Sequence, residues 1–113
     1  MSLVEQLLRE AIDKFNVKVK EDPELAKELQ GVKKVIQVEV EDGDWYHFTL
    51  SDGAVDDLNK GEAQATPDIR VIASTETLTK LWTKELRVMK AFVTKKLQVK
   101  GSMEDLLRLR RFF

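Results

Sequence analysis

The chain has 113 residues and no cysteine, which excludes disulfides, zinc–thiolate sites and thiol nucleophiles. Its 19 basic and 20 acidic residues give a net charge of −1, so the basic excess typical of nucleic-acid-binding proteins is missing and no nucleic-acid partner is expected. No apolar run approaches the ~20 residues of a membrane span, and we expect a single domain over residues 1–113 that is cytoplasmic.

Two helices are predicted at the start of the chain. Ser2 precedes Glu5 by three residues, which is the spacing of a capping box, and apolar residues then recur at helical intervals. Asp22 and Pro23 fit the N-cap and the first turn of a second, short helix. Gly31 is predicted to close that second helix.

The pattern then changes to the period of two that is typical of strands. In "VIQVEVED" the apolar residues alternate with polar ones, so Val38 is predicted to face the core, and Gln37 and Glu39 the opposite, solvated face. The segments "WYHFTL" and "DIRVIA" repeat this alternation, and a short strand is predicted around residues 54–58. We interpret "NKGEAQATP" as a polar connection. Strands with one polar face favour an antiparallel sheet that is covered on its other face.

After Ser74 the helical period returns. Lys84 and Glu85 interrupt this helical segment, and a short fifth strand, "KLQVKG", follows it. Gly101 and Ser102 then precede a final helix. The predicted fold class is α+β, with a five-stranded, mostly antiparallel sheet covered on one face by helices. The apolar stripe of the interrupted segment comprises Leu78, Leu81, Trp82, Val88, Met89 and Phe92.

Residues that could perform chemistry are sparse. His47 is the only histidine, and the alternation of its strand places it on the solvated face, without a nucleophile that it could activate. The acidic residues Asp56, Asp57 and Glu62 lack the spacing of a calcium loop, and we interpret them as solvated turn residues. The sequence therefore predicts no enzyme, no cofactor and no metal site.

Large apolar side chains are concentrated in the last helices, and the chain ends "RLRRFF". Ordinary core packing, with methionine filling gaps, would account for this composition. On composition alone ordinary packing is the favoured interpretation, and the alternative is an apolar cavity between sheet and helices that is closed by the terminal helix. The periodicity alone leaves both interpretations open.

The late segment "AFVTKKLQVKGSMEDLLRL" resembles the sterol carrier protein 2 family, the SCP2 lipid-transfer domain. The family has approximately Ala-Phe-x-x-Gly-Lys-Leu-x-Ile-x-Gly-Asn-Met there, and "TPDIRVIASTETLTKLWT" and "WYHFTLSDG" are similar to its upstream elements. The family's glycine is Lys95 here, its asparagine is Ser102, and "TKELRVM" lacks the Gly and Pro of its helix corner. It stays open whether one helix continues across 83–89. The matching positions are Ala91, Phe92, Lys96, Leu97, Val99, Gly101 and Met103.

The resemblance implies a non-catalytic carrier with an apolar tunnel for a sterol, a fatty acid or a fatty acyl-CoA. A monomer or weak dimer with at most transient membrane contact is expected. The alternative is a protein-interaction or dimerisation module that uses the same apolar helical face. The implied lipid-binding residues are Leu78, Leu81, Trp82, Met89, Phe92, Met103, Leu106, Leu107, Phe112 and Phe113.

Three arginines of the last helix and tail are the second part of this hypothesis. With the phenylalanines turned inward, Arg108, Arg110 and Arg111 would lie outside and meet an anionic headgroup, a CoA phosphate or a membrane surface. The alternative is a solvated basic turn that interacts favourably with the dipole at the helix C-terminus.

Overall fold

The computed structural model describes residues 2–110, so the predictions for Arg111, Phe112 and Phe113 lie outside the described residues. The first helix, α1, runs over Leu3–Glu21, and the Ser2 side chain accepts a hydrogen bond from the backbone N–H of Glu5. The second, α2, runs over Pro23–Glu28 after its N-cap residue, Asp22. Both predicted N-termini are confirmed. At each of them a short polar side chain accepts hydrogen bonds from backbone N–H groups that have no partner within the helix.

The sheet has six strands rather than the predicted five. The additional strand, of two residues, lies in the segment that we interpreted as a polar connection, and it pairs with Tyr46 and His47. A two-residue strand held by backbone hydrogen bonds has no alternation, so the sequence carries no signal for it. The strands are β1 Lys33–Val40, β2 Trp45–Ser51, β3 Ala54–Val55, β4 Asn59–Lys60, β5 Ile69–Ala73 and β6 Leu97–Gly101.

The strand order is β3-β2-β1-β5-β6, with β4 also paired to β2. The β1–β5 pair is parallel and the others are antiparallel, so the sheet is mixed and mostly antiparallel, as predicted. Val38 pairs with Tyr46 on one side and with Val71 on the other, and Val71 pairs with Val99. This register aligns apolar side chains across four strands on the face that the helices cover, which we call the inner face.

Two helices, not one, occupy the interrupted segment. They are α3, Thr75–Trp82, and α4, Val88–Val93, and the last helix, α5, is Met103–Arg110. Lys84 has a φ of +64°, in the left-handed region, which ends the α-helical backbone after α3. The chain therefore keeps a corner between the two helices although it lacks the glycine and proline that we associated with one.

Two lysines occupy backbone positions that suit glycine. Lys84 and Lys95 have φ values of +64° and +61°. The left-handed conformation costs an L-residue about 1–2 kcal/mol, and glycine loses roughly 0.5–1 kcal/mol more backbone entropy on folding. We expect Lys84→Gly and Lys95→Gly each to raise the free energy of unfolding by about 0.5–1 kcal/mol in urea denaturation. Lys90→Gly, inside α4, is the matched control and should lower it by about 1 kcal/mol. An equal decrease of the free energy of unfolding in all three variants would contradict the left-handed conformation of Lys84 and Lys95.

The face of the sheet opposite the helices, the outer face, is partly covered. Gln37 and Glu39 are only 3% and 5% exposed, so the prediction that they face solvent is wrong. The connection after β4 lies over them, and the backbone N–H of Ala63 donates to Gln37 Oε1 at 2.9 Å. Arg70 ion-pairs with Glu39 on the same face. The buried polar groups are therefore paired, as burial requires.

Candidate functional site

The core beneath the helices is divided into three separate clusters of fully buried side chains. The first joins α1 to β1 and β2, the second joins the end of α1 to α2, and the third joins α4 to β5 and β6. The apolar side chains that pack against both the first and the third cluster, Val71 and Leu78, are only half-buried. The buried members are Val4, Val38, Val40, Tyr46 and Leu58 in the first, Val19, Leu25 and Leu29 in the second, and Ala73, Ala91 and Leu97 in the third.

The half-buried side chains of the inner face are the central feature of the site. Ile36 and Val71 belong to β1 and β5, each of which has neighbouring strands on both sides, yet both side chains stay accessible. Phe48 pairs with Ile36, Val99 pairs with Val71, and both are also half-buried. We call these four residues the inner row. Central-strand side chains under a helical layer are normally fully buried, so the partial exposure of the inner row marks it as the candidate site.

The helices present matching half-buried side chains to the same region. Leu8 and Ile12 of α1, together with Leu78 of α3, pack around the first cluster along with Phe48 and Val71. Leu81 packs around the third cluster, which Leu78 and Val71 also contact. The structure therefore brings two predicted lipid-binding residues, Leu78 and Leu81, to the interface between helices and sheet. The inner row and the α1 residues were not predicted from the sequence as site residues. A period-two strand pattern and a helical apolar stripe both indicate ordinary core.

Two further residues that were predicted to bind lipid, Trp82 and Leu106, are half-buried. The Trp82 ring, at the end of α3, has the Lys14 ammonium 4.7 Å from its centroid. Such a cation–π contact holds the indole against α1. Leu106 of α5 lies near Gly101, where a Cβ atom would approach its Cδ2 to 3.6 Å. A Cβ at that glycine would also lie 2.9 Å from the Asp68 carbonyl, so glycine allows the end of β6 to lie close to the backbone just before β5.

Four predicted residues lie at the surface rather than in the interior. Their exposed fractions range from 39% to 72%. In α4, Ala91 takes the position against the sheet and is fully buried, so the larger neighbours turn outward. In α5 the inward position is occupied by Asp105, whose carboxylate lies 3.0 Å from Lys34 Nζ. The structure therefore places these four side chains at the surface, and their contact with lipid stays a prediction; the four are Met89, Phe92, Met103 and Leu107.

The predicted headgroup contact Arg108 is paired within its own helix. Its guanidinium lies 3.2 Å from Asp105 Oδ1 and 3.4 Å from Glu104 Oε1. This spacing of three and four residues is the usual one for ion pairs along a helix. Arg108 therefore forms part of a charge cluster with Asp105 and Lys34 rather than an isolated positive group. The structure describes the backbone of Arg110 but not its side chain.

The outer face carries a polar network. Glu39 accepts hydrogen bonds from Gln37 Nε2 at 2.9 Å and from Arg70 Nη2 at 2.8 Å. Hydrogen bonding to Arg70 holds the pKa of Glu39 below its usual range and raises that of Arg70 in turn. His47 is half-buried, and its Nδ1 lies 2.9 Å from the Gly61 carbonyl. Among residues 2–110, no group of three His, Asp or Glu side chains could hold a metal ion.

The surface clefts of the described part of the chain include two that lie away from the inner row. One, of about 470 Å³, lies on the outer face beside His47 and Lys60, and the other lies along the outer side of α1 beside Lys14 and Val17. Neither is lined by a predicted lipid-binding residue. Within residues 2–110, each helix is too short or too polar to cross a bilayer.

Solved structures share this fold. Palmitated SCP2L2 from Aedes aegypti is 23% identical, with a TM-score of 0.68 over 99% of this chain and 94% of that one. UbiJ-SCP2, described as a ubiquinone synthesis protein, is 24% identical, with a TM-score of 0.59 over 85% and 83%. The sec-alkylsulfatase Pisa1 from Pseudomonas sp. is 18% identical, with a TM-score of 0.58 over 74% of this chain. This chain spans only 13% of the sulfatase.

These identities establish the fold alone, and no match was found among curated protein sequences. The family model described as the SCP-2 sterol transfer family matches residues 12–113, which is most of the chain. The match includes the inner row, α3 and the late segment that carries the resemblance in sequence. The chain belongs to the SCP-2 sterol transfer family.

Proposed function

We propose that this protein is a non-catalytic lipid carrier that holds one apolar tail between its helices and the inner face of its sheet. The observation that carries the proposal is the inner row, Ile36, Phe48, Val71 and Val99, which stays half-buried beneath a helical layer. Membership of a sterol transfer family supports the same role. The proposed cargo is a sterol, a fatty acid or a fatty acyl-CoA.

The chemistry of the lining fits an unspecific apolar cargo. A lipid tail that leaves water gains about 0.8 kcal/mol per buried methylene without any directional contact. Leu8, Ile12, Leu78 and Leu81 add only hydrocarbon to this region. One structural neighbour is described as palmitated, which favours an acyl chain among the three cargo classes.

The proposed contacts differ from those expected from the sequence. We assign cargo contact to Leu78, Leu81, Trp82 and Leu106, in addition to the inner row. Phe112 and Phe113 remain proposed as the cover of the chamber, and Arg110 and Arg111 as headgroup contacts. Arg108 would first have to leave Asp105 and Glu104, so its contribution to headgroup binding is expected to be small.

Uptake of a fluorescent fatty acid tests the proposal. Delipidated protein titrated with cis-parinaric acid should show saturable fluorescence with one site per chain. A non-fluorescent fatty acid, a sterol and an acyl-CoA, added as competitors, would rank the cargo classes. Folded protein that shows no saturable uptake and no displacement would contradict a carrier role.

The second candidate is a protein-interaction or dimerisation module. The exposed apolar side chains of α4 favour it, because contiguous exposed apolar surface often marks a contact site. We place it second because the basic side chains around α4 would repel those of a second copy. Concentration-dependent self-association in sedimentation velocity, together with no fatty-acid uptake, would reverse this order.

A further inference from the structure

Helix α4 presents its small side chain to the core and its large apolar side chains to solvent. Ala91 is fully buried against Ala73 and Leu97 in the third core cluster. Large apolar side chains normally leave water on folding, so their exposure on one short helix calls for a partner. We call the outward side chains the α4 apolar surface, and they are 37% to 77% exposed: Val88, Met89, Phe92 and Val93.

The chain around this surface is strongly basic. Between Lys84 and Lys96 there are five basic residues and one acidic residue, Glu85, although the whole chain carries a net charge of −1. None of the five forms an ion pair with a carboxylate in the described part of the chain. All five are exposed: Lys84, Arg87, Lys90, Lys95 and Lys96.

We propose that the α4 apolar surface docks the protein on an anionic lipid membrane. Apolar side chains that enter the interface and basic side chains that meet anionic headgroups are the two attractions that hold peripheral proteins on such membranes. This inference deepens the proposed function, since a carrier must collect its lipid from a membrane. The α4 apolar surface is identified from its exposure and from the charge around it, independently of the carrier role.

Charge decides between a membrane and a second copy of the chain. A two-fold dimer would place the same basic segment on both sides of the contact, where like charges repel. An anionic bilayer complements that segment instead. Docking here would also place the third cluster, which Leu78, Leu81 and Val99 contact, directly behind the membrane-bound helix. The wall of the proposed chamber would then lie next to its source of lipid.

Vesicle co-sedimentation tests the proposal with the full chain. We expect binding to vesicles of phosphatidylcholine with phosphatidylserine, weak binding to phosphatidylcholine alone, and a loss of binding as salt rises. Val88→Glu/Val93→Glu and Lys90→Glu/Lys96→Glu should each weaken binding by about tenfold or more, since they place negative charge at the membrane. The matched control, Val17→Glu/Lys18→Glu on the exposed side of α1, should bind like the unchanged protein.

The proposal would be overturned if the unchanged protein did not bind the anionic vesicles, or if the α1 control lost as much vesicle binding as the α4 variants. A dimer in solution that the α4 variants dissociate would also overturn it. Fatty-acid uptake by the same variants separates this proposal from the carrier role. Retained uptake with lost vesicle binding supports docking through α4. Vesicle binding through α4 by a protein that takes up no fatty acid would contradict the carrier role and leave the docking surface supported.

Discussion

Replacement of Arg70 by alanine is expected to lower the free energy of unfolding by about 2–3 kcal/mol at neutral pH. The Glu39 carboxylate is 5% exposed and accepts two hydrogen bonds from Arg70. Without the guanidinium, Glu39 would keep Gln37 as its remaining side-chain hydrogen-bond partner. A buried charge that loses its counter-ion keeps its desolvation penalty and loses the attraction that offset it.

The same pair predicts a pH dependence. Hydrogen bonding to Arg70 lowers the pKa of Glu39 from its ordinary value of 4.5. A carboxyl group whose pKa is lowered on folding adds stability above its unfolded pKa, and this is lost as pH falls through the folded pKa. The difference in the free energy of unfolding between the unchanged protein and Arg70→Ala should therefore have its full value at neutral pH and shrink below about pH 4.5.

Urea denaturation at several pH values measures both effects. Glu39→Gln/Arg70→Ala should recover at least about 1 kcal/mol relative to Arg70→Ala, because no unpaired charge is left. Lys80→Ala is the control, since Lys80 pairs with Glu76 at 2.9 Å in an exposed position and should change stability by roughly 0.5 kcal/mol or less. If Arg70→Ala behaves like Lys80→Ala, the outer-face network does not stabilise the fold as described.

Replacement of Val71 by phenylalanine is expected to block cargo at little cost in stability. Val71 lies in the inner row, whose side chains are half-buried beneath the helices. The ring would take the place of a few tail methylenes, worth about 2 kcal/mol, so fatty-acid binding should weaken by roughly thirtyfold. The free energy of unfolding should fall by less than about 1 kcal/mol, because the proposed chamber has room for the ring.

Val40→Phe is the matched control for that substitution. Val40 lies on the inner face but is only 2% exposed in the first cluster. Overpacking there should lower the free energy of unfolding by about 1–3 kcal/mol. If Val71→Phe is as destabilising as Val40→Phe, the inner row is close-packed and no chamber lies above it. If Val71→Phe is stable but binds fatty acid normally, cargo is held elsewhere.

Local chemistry made most of the fold predictable. Ser2 and Asp22 mark helix starts because their side chains accept hydrogen bonds from backbone N–H groups at the first turn. The alternation of β1 correctly placed Val38 in the core. Burial of Gln37 and Glu39 was not predictable, because Gln37 is bonded by a distant connection that folds over the outer face and Glu39 is bonded by Arg70, which is distant in sequence.

The candidate site was predictable only in part. The period of α3 correctly brought Leu78 and Leu81 to the interior. Extending that stripe to Met89 failed because the left-handed turn at Lys84 resets the helical phase, and α4 then presents Ala91 to the sheet. A small residue within a run of larger apolar ones was the available signal. The half-buried state of the inner row depends on packing between layers, which periodicity does not encode.

Native mass spectrometry of the purified, delipidated protein with added fatty acid tests the carrier role most directly. The account predicts a complex of one chain with one fatty acid for the unchanged protein and a strongly reduced complex for Val71→Phe. Extraction of the freshly purified protein before delipidation would identify the lipid that it carries. A folded protein that stays empty under both conditions would contradict the account.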